Sequence, residues 1–145
     1  MTAVVIGANI ALALVIPLPY SSEVDRRMRQ WHDEDLRFAV PALWGYEVVS
    51  GLRKAVVKGI LTTEAAERAI QFLWALGLDQ IPATPESHVK ALAWAERLGQ
   101  TVAYDAQYIL VAETLGATLW TADRKLWQAA QDAGAAWVRW IGGSA

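Results

Sequence analysis

Three of the fifteen carboxylates in this chain, Glu47, Asp105 and Asp123, are not used up by exposed helix faces. Glu47 lies in PALWGYEVVSGL, where Leu43 and Trp44 one turn before it and Gly51 one turn after it share its helix face, so that face is partly buried. An unpaired carboxylate there is costly. Asp105 opens a helical pattern in TVAYDAQYILVAETLG, and Asp123 follows a strand pattern in TLWTADRKL. Taken singly, either aspartate reads as a helix N-cap. Taken together with Glu47, they can reach one pocket if they stand at strand ends and helix starts along one edge of a parallel sheet. At about 4 Å and an effective dielectric of about 20, each like-charged pair there costs about 4 kcal/mol, which calls for a raised pKa or a bound cation. Oxygen-only ligation favours Mg²⁺ or Mn²⁺ over zinc. His32 and His88 lie in polar helix contexts and read as surface residues.

The elements that must position these acids alternate along the chain. Short β-branched runs at 2–6, 36–40, 78–81, 117–121 and 136–141 are separated by helical patterns, which predicts an α/β fold with a mainly parallel sheet and helices on both faces. Ser22 with Asp25 reads as a variant capping box, Pro41 as a first-turn proline, and Thr84-Pro85-Glu86 as a helix start. Gly59, Gly99, Gly116 and Gly134 fall where helices end. The helix around 64–76 is apolar on nearly all sides over AIQFLWAL, so its own domain or a partner must cover it.

Composition narrows the function classes. A length of 145 residues with 54% hydrophobic and 19% charged residues suits one globular domain, 1–145, with no need of a staple. Cysteine is absent, which excludes disulfides and thiol catalysis. The net charge of −2 means that nucleic-acid contact must come from a local patch. Arg26, Arg27 and Arg29 before Trp31, Arg53 with Lys54 and Lys58, and Arg124 with Lys125 are such groups, although each alone reads as a solvated helix face. Trp31 and Trp127 stand near them and could stack bases, but core packing is the commoner use of an aromatic at helical spacing. The apolar run at 3–16 has no basic residue before it and is interrupted by Gly7 and Asn9 and closed by Pro17 and Pro19, so neither a signal peptide nor a membrane span is expected and the reading is cytoplasmic.

The apolar first strand followed by GAN, the PALWGYEVVSGLRKA helix, and the block AYDAQYILVAETLGATLWTADRKL together resemble the PIN-domain family, specifically the VapC-type toxins of toxin–antitoxin pairs. The resemblance runs nearly end to end. It implies a three-layer α/β/α sandwich and a Mg²⁺- or Mn²⁺-dependent endoribonuclease, with RNA as substrate, a cognate antitoxin, and a second copy of the chain as partners. By position it makes Asp105 a metal ligand, Asp123 a ligand directly or through water, Glu47 an acid that orients water, and Thr121 a hydroxyl near the site. One position departs from the pattern. The family carries an aspartate at the end of the first strand, two residues before an Asn or Ser; here Asn9 fits the pattern and Gly7 stands in the aspartate's place. Two histories fit that gap, a degenerate family member or a replaced aspartate. The expected function is therefore a ribonuclease toxin impaired at its metal site, with weak metal binding. The alternative is a non-catalytic RNA- or protein-binding module on the same fold.

Overall fold

The computed structural model describes residues 2–143. Five strands, β1 (Ala3–Ile6), β2 (Arg37–Pro41), β3 (Asp79–Ile81), β4 (Thr118–Thr121) and β5 (Val138–Trp140), form one sheet in the order β3-β2-β1-β4-β5. Every neighbouring pair is parallel, so each connection must cross over, and each carries at least one helix. The helices are α1 (Ala8–Leu12), α2 (Ser21–Asp33), α3 (Leu43–Val57), α4 (Thr63–Trp74), α5 (Pro85–Leu98), α6 (Tyr104–Leu115) and α7 (Arg124–Asp132). A 3₁₀ turn at Ile141–Gly143 follows β5. All five expected strands are present, each within two residues of its expected bounds.

The central strands are apolar on both faces, as a sheet covered on both sides requires. Val4, Val5 and Ile6 of β1 are buried with Val40, Leu119 and Val138 from its neighbours, and Ile10, Trp44, Val48, Leu52 and Ile109 pack from the helices. Successive strands build outward from β1 through β2 to β3; the chain then returns to the other side of β1 with β4. The strand order therefore reverses between β1 and β4, and in open parallel sheets such a point leaves a crevice beyond the strands' carboxyl ends.

Two local expectations are corrected. The Ser22–Asp25 capping box does not form: α2 begins at Ser21 with no side-chain cap. The Ser21 hydroxyl instead donates to the carbonyls of Ala13 and Ile16 and accepts from the Leu18 amide, tying down the preceding loop. Pro41 closes β2 and does not open a helix. It sits past the β1 ladder, paired only with Ile81 of β3, where a missing N–H is tolerated. Thr84 caps α5 as expected, with Ser87 completing the box. The four helix-end glycines all have positive φ.

Candidate functional site

At the crevice between β1 and β4, a cavity of about 200 Å³ is lined by Gly7, Ala8, Asn9, Glu47, Asp105, Tyr108, Leu119, Thr121, Asp123 and Leu126. The three acids and Thr121 thus share one cavity, although they come from four separate elements. Gly7 joins β1 to α1, Glu47 lies on α3, Asp105 in the first turn of α6, Thr121 at the end of β4, and Asp123 at the start of α7.

Asn9 ties the two central strand ends together. Its side-chain amide donates to Thr121 Oγ1 at 3.3 Å, and its Oδ1 accepts from the Ala122 amide at 3.2 Å. Thr121, only 2% exposed, accepts the Asp123 amide at 3.0 Å. Asp123 in turn caps α7, its Oδ1 accepting from the Leu126 amide at 3.1 Å. Capping thus uses only one of its carboxylate oxygens in the contacts seen. A helix cap and a cavity-lining acid are the same residue here.

Asp105 is held differently. Gln100 Nε2 donates to its Oδ2 at 3.0 Å. Burial raises its pKa above the ordinary carboxylate range; the Gln100 hydrogen bond opposes the rise, and the nearby Asp123 charge adds to it. The folded state therefore holds this proton to higher pH than the unfolded chain does. Stability linked to Asp105 is greatest below the ordinary carboxylate range and falls as pH rises through it. In metal-free protein, Asp105→Asn is expected to raise Tm at neutral pH, because the amide oxygen can still accept from Gln100 while the buried charge is gone. The gain should shrink near about pH 3, where aspartates are largely protonated. Thermal melts in chelator at the two pH values check this, and a lower Tm at neutral pH would refute it.

Glu47 is bound by a residue that spacing alone did not single out. The Tyr108 hydroxyl donates to Glu47 Oε1 at 2.5 Å, and burial, followed by the hydrogen bond and charge of Glu47, raises the phenol's pKa. Tyr108 stays protonated and remains a donor. Its signal was present in the sequence, one turn after Asp105 on the same helix face. Gln100, just past the end of α5, carried no comparable signal.

The donor chemistry suits a hard, oxygen-preferring ion, but the set is small. Among the described residues no group of three or more His, Asp or Glu side chains is arranged to hold a metal ion. Gly7 supplies no donor. Its φ of −64° and ψ of 160° are ordinary extended backbone that any residue adopts. A Cβ there would lie 3.1 Å from Asn9 Oδ1 and 3.5 Å from the Trp120 carbonyl, so a side chain at this position demands only a small shift of Asn9.

No protein-family model matches the chain. It is 32% identical over 126 residues to ribonuclease VapC3 of Pyrobaculum aerophilum, covering 84% of this chain and 90% of that protein. Among solved structures, PAE2754 from Pyrobaculum aerophilum superposes with a TM-score of 0.66 at 24% identity, covering 88% of this chain and 79% of that one. A toxin–antitoxin complex from Klebsiella pneumoniae matches with a TM-score of 0.66 at 17% identity, over 96% of this chain and 98% of that one. VapBC2 from Rickettsia felis, solved with a DNA fragment from its promoter, matches with a TM-score of 0.63 at 14% identity, over 88% and 92%. At these identities the structural matches speak for the fold.

Proposed function

The chain belongs to the VapC-type family of PIN-domain ribonucleases, and we propose that it carries that family's RNA-cleaving scaffold with the metal site one carboxylate short. The observation that carries the reading is the single cavity at the β1/β4 crevice lined by Gly7, Glu47, Asp105, Thr121 and Asp123. Asp105 and Asp123 would hold Mg²⁺ or Mn²⁺, Thr121 fixes the Asp123 backbone, and Glu47, aimed by Tyr108, would orient water. A divalent ion, when bound in such a site, supplies Lewis acidity and a water of lowered pKa for phosphate chemistry. With two carboxylates to hold it, binding is expected to be weak, since Mg²⁺ gives up its waters reluctantly.

The test is Gly7→Asp. The folded variant is expected to cleave RNA in Mg²⁺ or Mn²⁺ and to stop when chelator is added, on a panel of structured RNAs that includes transfer RNAs. Absence of cleavage on every member would instead assign the chain as a non-catalytic binding module.

The same family membership supports an antitoxin partner and a second copy of the chain. Surface is available for them: on α4, Phe72 and Trp74 are 50% and 41% exposed, and Phe72 borders a shallow apolar groove with Leu14, Val15 and Leu61. Light scattering of the chain alone should give twice the 15.9 kDa chain mass. A strict monomer across a wide concentration range would remove the second copy. Among the described residues no helix is long and apolar enough to cross a membrane.

A further inference from the structure

We propose that a wedge of tryptophan and arginine beside the acidic cavity, built from Arg27, Trp120, Arg124, Trp127, Arg139 and Trp140, binds single-stranded RNA flanking the phosphate that the cavity addresses; this rests on the ribonuclease reading above. A second cavity, of about 380 Å³, is lined by five of these residues and Gly143, and among the described residues no carboxylate lines it. The Trp127 and Trp140 rings stand 5.6 Å apart and tilted by 31°, and both are half-buried. The Arg27 guanidinium lies 4.7 Å above the Trp120 ring, and that of Arg124 lies 5.5 Å from the Trp140 ring.

Trp140 is held in place from below. A Cβ on Gly142 would come within 2.7 Å of its ring, and one on Gly143 within 2.9 Å, so the backbone crosses closer to the indole than any other residue pair would allow. A ring fixed in that way is pre-ordered for stacking and loses little freedom when a base arrives. Packing alone accounts for half-buried tryptophans, but not for cations gathered over them. Arg26 and Arg27 bond Glu23, and Arg37 bonds Asp79. Among the described residues Arg124 and Arg139, both exposed, make no ion pair. Aromatic faces interleaved with unneutralised guanidinium groups suit a ligand that has both π-faces and phosphates, and single-stranded nucleic acid is such a ligand.

Position connects the wedge to the chemistry. Arg124 directly follows Asp123, and Trp127 lies one turn further along α7, its amide donating to the Asp123 carbonyl. Trp140 is the ladder partner of Thr121 on the adjacent strand, so it sits one strand beyond the cavity on the same sheet edge. A strand whose phosphate enters the acidic cavity would meet the wedge next. The net charge of −2 does not oppose this, because the attraction is local.

The probe is a fluorescein-labelled single-stranded RNA of about 12 nucleotides, titrated with the protein in chelator and read by fluorescence anisotropy. The double variant Arg124→Gln/Arg139→Gln, which changes only exposed side chains, is expected to weaken binding at least about fivefold and to flatten its salt dependence by about 1.4 units of slope. Trp127→Leu should weaken it at least about fivefold, and Arg139→Lys, which keeps the charge and the fold, should weaken it measurably. An abasic strand of equal length should bind the unaltered chain more weakly than the RNA does. The control Arg53→Gln/Lys54→Gln on α3 should leave affinity unchanged. Unaltered affinity in the wedge variants, equal loss in the control, equal binding of the abasic strand, or no RNA binding at all would overturn the proposal. Cleavage by Gly7→Asp is read separately. Loss of the wedge therefore leaves the ribonuclease reading standing, and wedge-dependent binding without cleavage removes that reading alone.

Discussion

RNA cleavage gained through Gly7→Asp is expected to fall at least about a hundredfold when Asp105→Asn is added. Replacing a group that merely supports a metal ligand costs about 10–100-fold, so neutralising a carboxylate that faces the ion directly should cost more. The double variant is informative because Asp105→Asn alone is expected to stabilise the metal-free fold, by removing a buried charge beside Asp123. Loss of activity would then accompany unchanged or increased Tm, which separates a chemical role from a failure to fold. Added Mn²⁺ should raise the Tm of Gly7→Asp and leave that of the double variant nearly unmoved, by ligand linkage. Equal cleavage by the single and double variants, or equal Mn²⁺ shifts, would remove Asp105 from the proposed metal set.

The largest expected loss of stability lies behind the site, at Trp44. This side chain is 1% exposed, packs with its ring 5.1 Å from that of Trp74, and begins the turn of α3 that carries Glu47. Trp44→Ala should cost about 3–5 kcal/mol, a large part of the roughly 5–15 kcal/mol that holds a domain together. The indole Nε1 has no hydrogen-bond partner among the described residues. A buried donor without a partner costs about 1–3 kcal/mol, so Trp44→Phe, which deletes that donor and keeps an aromatic ring, should lose much less than Trp44→Ala. Urea unfolding of the three proteins checks the order. Equal losses in the two variants would show that an aromatic ring at this position contributes nothing to stability.

Much of this arrangement was legible in the sequence because it depends on short-range rules. Parallel strands covered on both faces need apolar runs, and AVVI at 3–6 is an unbroken one, while ATLWT at 117–121 is β-prone with threonines at two positions. Glu47, Asp105 and Asp123 stood out because an acid near a buried face or a strand end asks for a partner. What was not legible depends on long-range closure. The Tyr108–Glu47 bond joins residues 61 apart, and the Asn9–Thr121 bond joins residues 112 apart. Pairings of that kind are set by the strand order, which local patterns do not encode. Ser22 and Pro41 misled for the opposite reason. Each had a valid local use, as a helix cap or a helix start, that the tertiary structure did not take. α2 starts at Ser21, so Ser22 falls inside its first turn and cannot cap it, and Pro41 was admitted at the end of β2, beyond the β1 ladder.

The unstrained backbone at Gly7 has an evolutionary consequence. Where a glycine is demanded by a left-handed turn, regaining a side chain requires the turn to be rebuilt through several substitutions. Here the conformation already accepts any residue, and only the Asn9 side chain must yield. Glycine codons ending in a pyrimidine differ from aspartate codons at the middle base alone. Under the proposed reading, a glycine codon of that kind would stand one point mutation from a complete metal site, with only the Asn9 side chain to adjust. A lineage that carried this glycine naturally on such a codon would remain under selection to keep an antitoxin, since losing the antidote would leave it a single base away from poisoning itself.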